Sequence, residues 1–167
     1  MPPFSEALSV QIVELLPRLR RFARALAGNT ADADDLVQIC IERALTRSDQ
    51  LRNDAPLVGW LFGILRNAWI DEARGRTRRK RLFAPEELGE QVADPTSSHS
   101  EILPVQQAMQ RLPDEQREVI GLVLIEGLSY SEAAEVTGVP IGTVTSRLAR
   151  GREALQRLLN DGEQEPA

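Results

Sequence analysis

Apolar residues recur along this chain at intervals of three and four, the signature of helices with one buried face. Leu8, Ile12, Leu15, Leu19, Phe22 and Leu26 set the first such face, between about Ser5 and Leu26. Pro17 interrupts that run and predicts a kink, or a new helix beginning there. Gly28-Asn29 ends it, and Thr30 stands where a cap for a second helix is needed. Asp32, Asp34 and Asp35 fill the first turn of that helix, where acids suit the helix dipole, and it extends to about Arg47. A polar loop from Ser48 to Ala55 follows, and Pro56 opens a third helix that reaches about Arg81. A second block begins near Ser100 with SEILPVQQAMQRL and PDEQREVIGLVLIEG and closes with two further helices.

Those last two helices are the most explicit local structure in the chain. Ser129 and Glu132 have the S-x-x-E spacing of a capping box, Gly138 supplies a left-handed stop, and Val139-Pro140 turns the chain into the next helix. Two short helices around a tight glycine turn commonly present the second helix to the DNA major groove. Val144, Leu148, Gly151, Leu155 and Leu158 form the inward stripe of that helix. Gly142, Thr143, Ser146, Arg150 and Arg157 lie opposite, with Arg147 and Arg152 on the flanks. Hydroxyls near the helix start with arginines behind them suit base edges and phosphates, so Thr143, Ser146, Arg147 and Arg150 are the DNA-contact candidates here. An amphipathic helix with a solvated basic face would show the same stripe but has no need of the capping box and turn.

The third helix carries a second polar stripe. Trp60, Leu61, Ile64, Leu65 and Ala68 make a broad apolar arc, while Asn67, Asp71, Arg74 and Arg78 line one edge. It ends in RGRTRRKRL, in which six of nine residues are basic, so Arg79, Lys80 and Arg81 join the candidates for a nucleic-acid surface. A cationic helix end stabilised by its own dipole is the simpler alternative. On the second helix Ala33, Leu36, Val37, Cys40, Ile41 and Ala44 are expected in the core, with Cys40 a small buried hydrophobe. Its opposite side carries Asp35, Gln38 and Glu42 with Ile39 beside them, and an exposed Ile amid acids points to a protein partner.

Composition narrows the class. Aromatic residues are only 4% of the chain, which favours an all-α fold over a β-sandwich. One cysteine and one histidine rule out an internal disulfide and make a Cys/His metal site implausible, so neither metal nor cofactor is expected. No run of apolar residues is long enough for a membrane span and no signal peptide is evident, which predicts a cytoplasmic protein without membrane insertion. The net charge of −5 looks wrong for a DNA binder until it is divided along the sequence. Residues 48–83 carry +4, residues 84–104 carry −5 with no basic residue, and the tail 161–167 carries −3. The local field matters more than the total, and weak affinity for free DNA is expected, with a partner supplying the rest.

Together these readings predict an all-α chain of two small helical domains, 1–83 and 101–160, joined by a flexible acidic linker at 84–100 and followed by an acidic tail at 161–167. The linker makes the halves independent in the free protein; a compact form, with the basic end of the first half against the linker or the second half, would hide DNA-binding surface.

DADDLVQICIERAL, WLFGILRNAWIDEARGRTRR and LPDEQREVIGLVLIEGLSYSEAAEVTGVPIGTVTSRLARGREAL, in that order, resemble the extracytoplasmic-function group of bacterial RNA polymerase sigma factors. The resemblance runs from about Leu16 to Leu159 and implies two helical domains, regions two and four. It implies that the DLVQ helix, at Asp35, Leu36, Val37 and Gln38, docks core RNA polymerase, and Ile39 and Glu42 on the same helix are counted with that polymerase-binding surface. The third helix, with Asn67, Asp71, Arg74 and its basic end, would work on the melted minus-ten element, and the loop Gln50 to Asp54, with Gln50 and Asn53, would hold a flipped base. The last helix would read the minus-thirty-five element of promoter DNA. An anti-sigma factor that holds the protein inactive until a stress signal is the further partner implied. Members often have an acid directly after DLVQ, where this chain has Ile39. A free-standing helix-turn-helix regulator and a sigma-like decoy that only binds an anti-sigma protein are the rivals; the first lacks a dimerisation heptad, and the second has no use for the arginines that are present.

Overall fold

The computed structural model describes residues 6–51, 55–82 and 104–164, and every regular element among them is helical. The first half comprises α1 (Glu6–Ala27), α2 (Thr30–Thr46) and α3 (Leu57–Leu82), with a short 3-10 turn at Ser48–Gln50. The second comprises α4 (Pro104–Gln110), α5 (Asp114–Ile120), which widens into a π-helical turn at Gly121–Ile125, then α6 (Tyr130–Thr137) and α7 (Ile141–Gln164). The expected linker at 84–100, Asn53 and the end of the tail lie outside the described residues.

Local expectations meet the structure unevenly. Pro17 neither ends α1 nor starts a new helix: Leu8 and Ile12 before it and Leu19, Phe22 and Leu26 after it are all buried. Burying each large side chain contributes about 1.5–3 kcal/mol, which together outweighs the roughly 3 kcal/mol cost of an internal proline. The cap of α2 is Asn29 rather than Thr30. Gly28 takes the left-handed conformation, φ 84°, and the Asn29 carboxamide oxygen then accepts from the Asp32 N–H at 2.8 Å. The box at α6 is complete, with the Glu132 N–H donating to Ser129 Oγ at 3.1 Å and the Ser129 N–H to Glu132 Oε1 at 2.9 Å. Gly138 closes α6 at φ 71°.

The expected independence of the two halves is not met. Buried residues of both form one continuous hydrophobic cluster. Phe22 of α1 packs edge-to-face on Phe62 of α3, with centroids 5.1 Å apart, and the same Phe22 ring lies against Gly121 of the second half. Arg117 of α5 donates to the Leu26 carbonyl at the end of α1, 2.9 Å, and Gln110 Nε2 donates to the Ala25 carbonyl, 3.0 Å. A side chain at Gly28 would collide with Gln110, so the glycine that ends α1 also admits α4. Shape and hydrogen bonding join the halves as an interior rather than a tether.

Candidate nucleic-acid and polymerase interface

Helix α7 presents the expected faces. Val144, Leu148 and Gly151 are buried, with Leu155 and Leu158 partly so, and Gly142, Ser146, Arg150 and Arg157 are exposed. A side chain at Gly151 would meet Ile120, which is why a glycine interrupts the inward stripe. Arg150 has no ion-pair partner among the described residues. Ser146 Oγ donates to the Gly142 carbonyl at 3.0 Å, so outward it offers an acceptor. Two candidates are less free than their spacing implies. Thr143 is half-buried, and Arg147 is held by Glu115 of α5 at 3.3 Å.

On α3 the arc of Leu61, Ile64, Leu65 and Ala68 is buried, whereas Trp60 is only partly so. Asn67, Asp71, Arg74 and Arg78 are exposed along one edge, and Arg79, Lys80 and Arg81 follow in the last turn. Asp71 is occupied by Arg43 of α2 at 3.0 Å, leaving the edge net positive. Gln50 ends the exposed 3-10 turn.

The outward face of α2 carries Asp35, Gln38 and Glu42, all exposed. Ile39 is a correction: it is half-buried and packed on the core, because α1 and α3 flank α2 closely enough to cover more than its central stripe. Leu36 is buried, so it supports this face from beneath and does not present itself to a partner. Ile41, expected in the core, is half-buried. Cys40 is fully buried, its Sγ 3.4 Å from the Leu61 carbonyl, and burial pushes its thiol up to about 12.

A cleft of about 610 Å³ lies between α3 and the second half, and Arg147 is the α7 residue that lines it. Arg66, Arg74, Arg78 and Arg81 line it from α3, and Asp114, Glu115, Glu118 and Arg147 line it from the second half. Sequence reasoning missed the charged groups that hold this arrangement. Arg66 is bidentate to Glu118 (2.8 and 3.3 Å), and Arg18 and Arg21 both clasp Glu126. Burial raises the Glu118 carboxyl above its usual range, countered by the bond from Arg66. The available signal was a pair of acids, Glu118 and Glu126, bracketing the wholly apolar run from Val119 to Ile125.

The described helices include none long and apolar enough to cross a membrane. Residues 102–155 match the family model for sigma-70 region 4, and residues 12–66 match that for the sigma2 domain of PhyR. The chain is 37% identical over 158 residues to the ECF RNA polymerase sigma factor EcfG of Rhodopseudomonas palustris, covering 94% of this chain and 87% of that one. It is 39% identical over 142 residues to the sigma factor SigM of Mycobacterium tuberculosis, covering 85% of this chain and 71% of that one. Its fold superimposes with a TM-score of 0.80 on the sigma factor RpoE of Bartonella quintana, solved in complex with the anti-sigma factor NepR, at 32% identity over 93% of this chain and 98% of that one. A fold with two helical halves, a capped helix-turn-helix and similarity to these proteins over 85–94% of the chain together place it in the family of ECF RNA polymerase sigma factors.

Proposed function

We propose that this sigma factor docks core RNA polymerase through the α2 face of Asp35, Gln38 and Glu42 and contacts promoter DNA with two separate surfaces. The edge of α3 from Asn67 through Arg74 and Arg78 to the basic end engages the melted minus-ten element, and Gln50 and Asn53 are the further candidates for that contact. Ser146 and Arg150 on α7, with Thr143 and Arg147 beside them, read the minus-thirty-five element. The observation that carries this reading is the exposure of basic residues on both α3 and α7, with no ion-pair partners for Arg74, Arg78 and Arg150 among the described residues. Each surface makes too few contacts to hold a promoter alone, and polymerase joins them by avidity. The protein performs no covalent chemistry and acts in the cytoplasm. Likeness to a sigma factor solved with an anti-sigma factor supports control by such a partner here.

A decoy that only binds an anti-sigma protein would not account for the basic side chains displayed on two helices. Reconstitution with core polymerase, followed by mapping of transcripts from genomic DNA, tests the proposal. New start sites that depend on this chain support it, and their absence with a properly assembled holoenzyme overturns it.

A further inference from the structure

We propose that the free chain holds itself closed, with Glu126 as the latch, and that releasing this latch is what lets the α3 and α7 surfaces reach DNA. The second clause rests on the DNA roles proposed above; the first does not.

The Glu126 side chain is fully buried, 0% exposed, at the end of the π-helical turn. It accepts from Arg18 Nε at 3.2 Å, from Arg21 Nε at 2.6 Å and from Arg21 Nη2 at 2.9 Å, while Arg18 Nη2 donates to its carbonyl at 2.8 Å. Every one of these donors belongs to α1, in the other half of the molecule. Charge-assisted bonds of this kind are short and strong, and a buried carboxylate needs them. The two arginine side chains remain 34% and 53% exposed, so they are already partly hydrated. On separation of the halves all three groups pass into water, and none is left buried without a partner. A contact that is strong when closed and leaves no orphan when open is suited to reversible release.

A second clasp, Arg66 on Glu118, also joins the halves, and the contact of Phe22 on Gly121 adds a steric fit between them. Arg147 pairs with Glu115 yet lies close enough to Glu118 to act on its charge. Departure of Arg66 leaves Arg147 as the cation available to Glu118, so opening also resets a side chain of the recognition helix.

Closure is incompatible with the proposed DNA contacts for a geometric reason. Elements separated by two helical turns, about 70 Å, need α3 and α7 farther apart than here, where Arg74, Arg78 and Arg81 of α3 and Arg147 of α7 line one cleft. At about 610 Å³ that cleft has the size of a small-molecule site, not of a duplex, and its far wall carries Asp114, Glu115 and Glu118. The α2 face remains exposed throughout. Polymerase can therefore dock before the halves part.

The full-length protein, labelled for energy transfer at Gln11→Cys and Gln156→Cys, tests this directly, since buried Cys40 escapes the dyes. The wild-type background should give a short distance, and Glu126→Lys a longer one with helicity unchanged by circular dichroism. Combining Arg21→Glu with Glu126→Arg should restore the short distance. Gly121→Leu opens the same interface without altering charge, because even a Cβ there would stand 3.1 Å from the Phe22 ring, while φ −59° and ψ −45° at 121 suit any residue. It should also bind a random-sequence duplex at low salt about tenfold more tightly than wild type, the equivalent of about one decade in Kd. Unchanged distances in both Glu126→Lys and Gly121→Leu overturn the latch, whatever the DNA result. A longer distance with unchanged DNA affinity upholds the latch and overturns its coupling to DNA, while the promoter roles of α3 and α7 stand or fall with the holoenzyme test above.

Discussion

The Arg117 guanidinium donates to the carbonyl of Leu26, 2.9 Å away and in the other half of the molecule. Its remaining N–H groups serve Met109, Gln110 and Leu112, so one side chain ties the end of α1 to the turn between α4 and α5. Burial lowers its affinity for a proton, with Asp114 acting the other way, and its plane stands 6.0 Å over the Trp69 ring. Arg117→Met keeps the bulk and strips four carbonyls of their donor. It should destabilise the protein by on the order of 3 kcal/mol in chemical denaturation. A loss below about 1 kcal/mol would show that water replaces the guanidinium readily.

The capping box of α6 makes a prediction with a pH signature. Ser129→Ala should cost about 1 kcal/mol by removing the acceptor for the Glu132 N–H. Glu132 has its carboxyl held below the usual range, first by the Ser129 backbone N–H and then by the Ser129 side chain. For a depressed carboxylate the stabilisation is complete above the unfolded value near 4.5 and is lost as pH falls through the lower folded value. The melting temperatures of wild type and Glu132→Ala should thus differ at neutral pH and converge in acid below that range. A gap that persists at low pH would assign the difference to packing.

Arg150→Ala should weaken promoter binding by holoenzyme by roughly 1–3 kcal/mol and change base preference at one position of the upstream element. A uniform loss across a library of upstream sequences would indicate a phosphate contact instead. Arg147→Ala should give a smaller loss in binding, because Glu115 already occupies that side chain.

Asp35→Arg combined with Gln38→Ala should abolish assembly with core polymerase while leaving helicity intact, since both side chains are exposed and opposite the buried Leu36 and Cys40. Gel filtration with core reads the first effect and circular dichroism the second. Tight core binding by this variant would place the docking face elsewhere.

Local features were legible in the sequence because their causes are local. Ser129, Glu132 and Gly138 act within four residues, and the stripe of Val144, Leu148 and Gly151 follows from helix pitch alone. The cap of α2 was misplaced by one residue because Asn29 and Thr30 are both competent caps, and the left-handed Gly28 decides between them. No new helix begins at Pro17, because the proline's penalty is local whereas the burial that offsets it is not. The pairing of Arg18 with Glu126 spans 108 residues and has no period, so nothing in the pattern points to it. Likewise Ile39 looked exposed from its helical position, and only the close approach of neighbouring helices covers it.

The wide turn from Gly121 to Ile125 ends with the Glu126 N–H bonded to the Gly121 carbonyl five residues back, 3.0 Å away, one residue more than a regular α-helix would use. Removing a residue there would restore ordinary pitch and swing the carboxylate by about 100° around the helix axis, away from the arginines that hold it. The setting of the whole joint therefore depends on chain length at a single backbone position. Natural variation could retune it by insertion or deletion, leaving every side chain at the DNA and polymerase surfaces untouched.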